Sequence, residues 1–395
     1  MLNQNQRKAV FANDRFIFLL AGAGTGKTRV IVERVKRMLK EGLNPAKMLI
    51  ISFTKKSVGD LKWRLNERKD LLITTFHGFC YKMLKEEREL NIVEEEKLIE
   101  KGFNKDQLNL IEITKRANKK TKLTIKYQKF LQENKWLDFS DLEILLNKRL
   151  ATDKRFKQTL KANYKYIFID EFQDTSMVQF LMLKHFKSNT NQIFCVGDPN
   201  QSIYAFRGAS EKVINDYIKY FKAKIYYLDL NYRSGENIVR AANNVIRYNK
   251  SGFKQKLFTR LKEKSIVVVK YFVNEERQTD FIYSEIYQLL TAGFKQEKIA
   301  ILYRNHYFAN KIKARIFQGY YQRINCLTIH QAKGLEFDIV FLINLQEGDL
   351  PHYQSELSEE RRLFYVAITR AKKRLYLLAK TDMKKPSRFI RECFV

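Results

Sequence analysis

Short apolar runs of strand length recur along this chain, each leading into a polar or glycine-containing turn and then a segment of helical period. They are Phe16–Leu20, Met48–Ser52, Leu71–Thr74, Tyr166–Ile169, Gln192–Val196, Ile225–Leu228, Ile266–Tyr271, Ile299–Leu302, Asn325–Thr328, Ile339–Leu342 and Arg374–Leu378. A run that is apolar throughout, rather than alternating, is buried on both faces. Helices covering both sides of a parallel sheet produce that burial. The expected fold class is therefore α/β with open, mostly parallel sheets. A length of 395 residues suits two or three domains.

Two places break the rhythm. Residues 82–140 lose the strand pattern and become helical and highly charged, with Glu94-Glu95-Glu96 followed by the basic run Ile113–Phe130. They read as a helical insertion in a first α/β domain spanning 1–81 and 141–223. Tyr127 and Phe130 sit among the lysines of that run, so it is either a solvated face or a DNA-facing surface. The second break is the strand Lys224–Leu228, taken to open a second α/β domain over 224–395. With only 4 prolines and no low-complexity tract, the boundary is expected to be a turn.

Charge narrows the partner. The chain carries 74 Lys+Arg against 43 Asp+Glu, a formal net charge of +31. Each phosphate neutralised by such a surface releases condensed counterions, so a polyanion, nucleic acid foremost, is the expected partner. A membrane surface or a ribosome fits that single fact as well. The apolar runs are far too short to span a bilayer, and MLNQNQRKAV has no apolar signal segment, so a cytoplasmic protein is expected. Cys80, Cys195, Cys326 and Cys393 form no C-x-x-C pair and read as reduced structural thiols, with no zinc site.

The chemistry starts at Ala21-Gly22-Ala23-Gly24-Thr25-Gly26-Lys27-Thr28, between the strand Phe16–Leu20 and the helical stretch Arg29–Leu39. Ala21 stands where the strict phosphate-loop pattern has glycine. Gly22, Gly24 and Gly26 still let backbone N–H groups turn inward around phosphates at a helix N-terminus. Lys27 would reach the β- and γ-phosphates of ATP, and Thr28 would ligate Mg²⁺. Ala23, Thr25 and Arg29 complete the local nucleotide-contact candidates.

Tyr166–Ile169 runs into Asp170-Glu171-Phe172-Gln173-Asp174. A strand ending in adjacent carboxylates supplies what the loop lacks: Asp170 to hold the metal and Glu171 to orient and deprotonate the attacking water. The next strand exit, Val196 to Ala209, carries Gln201, whose amide can sense a γ-phosphate. It also carries Tyr204 and Phe206, suited either to stacking on bases or to core packing.

Together these segments resemble superfamily 1 helicases of the UvrD/Rep/PcrA type, over nearly the whole chain and in the family's motif order. The resemblance implies two RecA-like domains with a small helical insertion in the first. Leu2–Gln6 is similar to the Q motif, in which Gln6 would read adenine. Ile51–Lys56, with Phe53, Thr54 and Lys55, resembles motif Ia, and Thr75–Phe79, with His77, resembles motif Ib; both contact DNA in the family. Leu137–Leu142 looks like the return from the inserted subdomain. Gln201 to Ala209 is similar to motif III, with Phe206 where Trp is usual and Arg207 beside it on the DNA side. Leu230–Ser234 resembles motif IV, so Tyr232 would stack on adenine and Arg233 would contact the γ-phosphate. Ile299–Arg304 resembles motif IVa. Thr328–Phe337 resembles motif V, placing His330 and Lys333 by DNA and Glu336 by the ribose. Glu360–Ala371 resembles motif VI, making Arg370 the second arginine finger.

The family carries a large helical 2B subdomain between motifs IVa and V, whereas residues 305–327 here leave room for one helix, Asn310–Gln318, and a turn at Gly319. A reduced form is expected, one that also ends soon after motif VI without a partner-binding tail. The implied function is an ATP- and Mg²⁺-dependent translocase or helicase on single-stranded DNA or 3′-tailed duplex, moving 3′ to 5′. ATP hydrolysis in an interdomain cleft would drive it, and an accessory protein could replace the missing subdomain. A DNA-bound ATP switch that does not travel, and a remodeller acting on RNA, are the competing readings.

Overall fold

The computed structural model describes residues 1–395 except 87–88, 117–118, 206–210, 251–252, 254, 318–320 and 383. Two compact units emerge: Met1–Leu20 with Lys27–Leu228, and Ala21–Gly26 with Asp229–Val395.

The elements of the first unit are, in chain order, α1 (Gln4–Phe11), β1 (Phe16–Ala21), α2 (Lys27–Lys40), β2 (Met48–Ile51), α3 (Lys55–Arg64), β3 (Leu72–Thr74), α4 (Phe76–Lys85), α5 (Glu95–Glu100), α6 (Lys105–Arg116), α7 (Lys122–Glu133), α8 (Phe139–Thr152), α9 (Lys154–Asn163), β4 (Tyr166–Ile169), α10 (Met177–Lys184), β5 (Gln192–Gly197), α11 (Glu211–Phe221) and β6 (Lys224–Leu228). Its sheet has the order β3-β2-β4-β5-β1-β6. The pairs β2/β3, β2/β4, β4/β5 and β1/β5 are parallel, with Phe18 opposite Cys195 and Ile50 opposite Phe168. All six residues of β1 are buried, as a run apolar on both faces requires.

The strand Lys224–Leu228 differs from expectation. It does not open the second unit but lies at the edge of the first sheet, beside β1. Tyr217 of α11 explains the route: its hydroxyl donates to Ile17 O (3.2 Å) and Ile193 O (3.1 Å), pinning the crossover helix onto β1 and β5. Tyr226 then donates to Asp14 Oδ2 at 2.6 Å and anchors the edge. The second unit begins at Asp229.

The described residues of 82–140 include the helices α5, α6 and α7, and α4 and α8 run through the 81/82 and 140/141 positions. The insertion has its own small core of Val93, Leu98, Phe103, Ile111, Tyr127 and Leu131, with Phe130 and Trp136 packed against it. Tyr127 is 1% exposed and donates to Asp138 Oδ2 at 3.0 Å. Phe130 sits against Phe103 and Trp136. The DNA-facing reading of these two rings is therefore overturned: at helical spacing they form the inward stripe of α7, and the lysines form the outward one.

The second unit contains β7 (Leu230–Asn231), α12 (Glu236–Ile246), β8 (Phe258–Thr259), β9 (Ile266–Phe272), α13 (Glu275–Thr291), β10 (Ile299–Tyr303), α14 (Asn310–Phe317), β11 (Asn325–Thr328), α15 (Ile329–Ala332), β12 (Phe337–Leu342), α16 (Leu357–Ile368), β13 (Ala371–Lys380) and α17 (Arg388–Glu392). Its main sheet, β11-β10-β12-β13-β9, is parallel at every pairing. Ile282, Ile301, Tyr303, Phe341 and Tyr376 are central in its core. Between β10 and β11 the described residues form one 3-10 turn, His306–Ala309, and α14. Gln318 and Gly319 lie outside the described residues.

Candidate functional site

Site residues of the first unit collect where strands end, and helix caps hold them there. Thr54 and Thr75 cap α3 and α4, accepting from Ser57 N and Gly78 N at 3.0 and 3.1 Å. Asn3 and Gln6 form a reciprocal capping box on α1. Gln6 is fully buried and its Oε1 accepts from Asn3 N at 3.0 Å, so the expected adenine reader carries a structural bond as well.

The phosphate loop leaves β1 and enters α2. Gly24 and Gly26 have φ of +69° and +87°, the left-handed region in which a Cβ is strained. Thr25 is buried and donates its hydroxyl to Gly22 O at 2.8 Å, closing the loop on itself. Lys27 and Thr28 fall on the first turn of α2, and Arg29 points outward. Thr28 Oγ1 donates to Asp170 Oδ2 at 3.3 Å, and Lys27 Nζ lies 3.8 Å from Glu171 Oε2. Lys27 and Thr28 therefore form one cluster with the sequence-distant acidic box.

Its electrostatics suit a cation. Burial, then the neighbouring Glu171 charge, raises Asp170 to about 7, with Lys27 pulling the other way. A hydroxyl beside such a carboxylate is an oxygen donor set that fits Mg²⁺, whose remaining positions stay with water and phosphate. Glu171 is held at φ 52°, ψ 45°, an uncommon left-handed conformation for a non-glycine residue. Its N–H donates to Asp170 Oδ1 at 3.0 Å, and Gln173 Nε2 donates to Glu171 Oε2 at 2.5 Å. Gln173 Oε1 also accepts from Asp198 N at 2.9 Å, and Gln201 Nε2 donates to Asp198 Oδ2 at 2.5 Å. Burial raises the Asp198 carboxyl. Gln173 and Asp198 had been given no role from sequence; only their place at the exits of β4 and β5 hinted at one.

In the second unit the expected arginines converge at the amino ends of β12 and β13. Arg233 Nε donates to Glu336 Oε2 at 2.8 Å, and Nη1 donates to Thr369 O at 3.3 Å. Lys372 Nζ approaches the other Glu336 oxygen at 2.5 Å. Burial works to raise the Glu336 carboxyl, but Arg233 and Lys372 outweigh it and hold it at about 2. Arg370 is 1% exposed and donates to Val366 O (2.9 Å), Leu335 O (3.1 Å) and Thr369 Oγ1 (3.1 Å). Tyr232 is 44% exposed. Within this unit Asn231 Nδ2 donates to Ala23 O and Tyr232 N donates to Gly24 O, both at 2.8 Å. Asn231 Oδ1 accepts from the N–H groups of Arg233 and Ser234.

Of the DNA candidates, Phe53 and Tyr204 stack on each other, with centroids 5.0 Å apart and planes 25° from parallel. Lys55 is exposed on the first turn of α3. His77 lies against Phe139 and 3.1 Å from Glu143 Oε1. His330 and Lys333 sit half-buried at and just after α15, past the end of β11. Phe206 and Arg207 lie outside the described residues. Among the described residues no three or more of His, Cys, Asp and Glu cluster as a metal site would, and all four cysteines are free. No described helix is long and apolar enough to cross a membrane.

A phosphate loop, a buried metal-type carboxylate and a strained glutamate at strand ends of a parallel sheet define a phosphate-loop nucleotide hydrolase. Family comparison narrows the class. The UvrD/REP helicase N-terminal domain matches residues 2–106 and 90–222, and the UvrD-like helicase C-terminal domain matches 226–320 and 315–381. A "Probable DNA helicase" of Mycoplasma pneumoniae is 30% identical, the match covering 99% of this chain and 86% of that protein. The "ATP-dependent DNA helicase PcrA" of Bacillus subtilis is 31% identical over 77% of this chain, and the "ATP-dependent DNA helicase Rep" of Buchnera aphidicola 30% identical over 78%. The matches span 47% and 54% of those two proteins, about half their length. The chain belongs to the UvrD/Rep helicase family, the ATP-dependent DNA helicases of the UvrD, PcrA and Rep type.

Proposed function

We propose that this chain is an ATP-driven translocase and helicase that moves 3′ to 5′ along single-stranded DNA. The observation that carries the reading is the joining of Lys27, Thr28, Asp170 and Glu171 in one unit, matched by the convergence of Arg233 and Arg370 on Thr369 in the other.

The loop amides and Lys27 hold the phosphates of ATP, and Thr28 and Asp170 hold Mg²⁺, which when bound neutralises charge on the phosphate oxygens. Glu171 takes a proton from the attacking water, fixed in its strained conformation by Gln173. Gln201, held on Asp198, reports the γ-phosphate. Tyr232 and Gln6 receive the adenine, and Glu336 the ribose. Arg233 and Arg370 stabilise the transferring phosphoryl group, a contribution of roughly 10³–10⁵-fold in such enzymes. Completion of that shell on ATP binding and its loss on hydrolysis give alternate grips on a strand. The strand runs over Phe53, Thr54, Lys55, His77, Tyr204, Phe206 and Arg207 in the first unit and His330 and Lys333 in the second. The short segment between β10 and β11 leaves the work of a 2B subdomain to an accessory protein.

Unwinding of 3′-tailed against 5′-tailed duplex with ATP tests the direction, and ATPase stimulation by oligo-dT against oligo-U tests the substrate. Streptavidin displacement from each strand end tests travel. The 3′-tailed substrate, oligo-dT and one-ended displacement are the expected outcomes. Equal tails, an oligo-U preference, or stimulation without displacement would each overturn the corresponding part.

A further inference from the structure

Glu143 has no role in the account so far, yet it is fully buried in α8. A carboxylate out of water costs several kcal/mol unless donors surround it, and an apolar residue of that size is usually the cheaper choice for stability alone. Its polar neighbours, one hydrogen-bond donor and two ion-pair partners, come from three other elements. Gln179 Nε2 of α10 donates to Oε1 at 2.6 Å, His77 Nε2 of α4 lies 3.1 Å from Oε1, and Arg116 Nε of α6 lies 3.5 Å from Oε2. Burial works to raise this carboxyl, but Arg116, His77 and Gln179 together hold it below the ordinary value, so it stays charged.

Two of these partners lead to different parts of the proposed machinery. The His77 side chain is 34% exposed and packs on Phe139, itself 45% exposed; Nε2 is buried toward Glu143, so it is the opposite edge of the imidazole that reaches the surface on which the strand is proposed to lie. Gln179 leads to the hydrolytic turn. Its Oε1 accepts from Ser176 N at 3.1 Å, in the capping box that starts α10 directly after Asp174 and Thr175. Gln173 Nε2 bonds Asp174 Oδ2 at 3.4 Å and Glu171 Oε2 at 2.5 Å. Polar contacts from His77 to Ser176, and from Asp174 to Glu171, are thus joined by the backbone of the short turn 174–176.

We propose that Glu143 is a positioning residue that reports strand occupancy at His77 to Glu171, through Gln179 and the turn 171–176. This rests on the reading of the chain as a DNA-stimulated ATPase. The two states differ in the partner of one imidazole. Without a strand, His77 faces Glu143. A DNA phosphate at the exposed edge of the His77 ring draws the imidazole away from Glu143 and leaves Glu143 to Arg116 and Gln179, which shifts the amide that caps α10. A ligand moves such an element only by its differential interaction with the two states, and here that difference is one anion against another.

The test uses the full chain with Glu143→Gln and with the double variant Glu143→Gln/Arg116→Gln, which removes both charges so that neither is left buried alone. ATP turnover is measured with and without oligo-dT, together with oligo-dT affinity by anisotropy and the melting temperature. The expected result is DNA-free turnover within about twofold of the parent and maximal stimulation reduced about tenfold. Oligo-dT affinity should change less than about threefold in both variants. Full stimulation in the double variant would overturn the proposal. So would an equal fall in DNA-free and stimulated turnover accompanying a lower melting temperature, because a packing role acts on both alike. A parent that oligo-dT does not stimulate would instead refute the underlying reading, so the two failures are distinct.

Discussion

Arg370→Ala removes a side chain that is 1% exposed and donates to Val366 O, Leu335 O and Thr369 Oγ1 inside its own unit. The structural cost can be worked out acceptor by acceptor. Val366 O keeps the Thr369 hydroxyl at 3.0 Å, so it is not orphaned. Leu335 O loses the guanidinium. That acceptor is only part-buried, so losing this donor costs at most about 1–3 kcal/mol, and the vacated volume adds to it, for a total of roughly 2–4 kcal/mol. In a unit of this size that lowers the melting temperature by roughly 5–15 °C. The catalytic cost expected of a lost arginine finger is far larger, roughly 10³–10⁵-fold in turnover. The two effects separate cleanly at 20 °C, where the variant remains folded. Circular dichroism should report the lowered melting point, oligo-dT-stimulated ATPase should be lost, and a fluorescent ATP analogue should bind within about tenfold of the parent. Arg370→Lys keeps the charge but not the planar fork, so it should recover little. Stimulated turnover unchanged in folded Arg370→Ala would refute the finger assignment and leave Arg370 as a backbone clamp only.

Glu171→Gln should lower turnover by about 10²–10⁴-fold with little change in MgATP affinity; retained turnover would transfer the base role elsewhere. The Glu336 clamp predicts an acid limb in stability. A folded value of about 2 against the ordinary 4.5 gives stabilisation fully present above pH 4.5 and lost as pH falls toward 2. Urea titrations between pH 5 and 3 should therefore show a steeper fall for the parent than for Glu336→Gln, and parallel curves would discount the clamp. In the insertion, Lys115 Nζ sits 2.7 Å from Asp138 and 2.8 Å from Asp141, and its side chain is 7% exposed. Lys115→Met leaves two carboxylates without their cation and should destabilise the chain by about 3–5 kcal/mol in equilibrium unfolding. A loss under about 1 kcal/mol would mean that water already solvates them.

Local pattern carried most of the fold into view. Each predicted apolar run appears as a strand with ends shifted by a few residues; in inner strands such as β1 and β10 burial on both faces forbids polar residues over a fixed short length, while the edge strands β6 and β9 are only partly buried. The phosphate loop and the acidic box were legible for a related reason: their chemistry needs glycine freedom, a lysine and adjacent carboxylates at short spacing, within a few residues of a strand end.

What local pattern could not decide was which surfaces meet. Lys224–Leu228 reads as a strand from either side of a boundary, and only the anchoring of α11 by Tyr217 assigns it to the first sheet. Tyr127 among lysines looks the same in sequence whether it faces solvent or the insertion's own core. Arg370 was found by resemblance, but its burial against Val366 and Leu335 depends on residues about 4 and 35 positions away. Glu143 drew no notice because one acid in a helix is ordinary until His77, Arg116 and Gln179, on three other helices, are brought against it. Secondary structure follows from side-chain periodicity along the chain, whereas charge pairing and burial follow from distances across it, which only the folded arrangement sets.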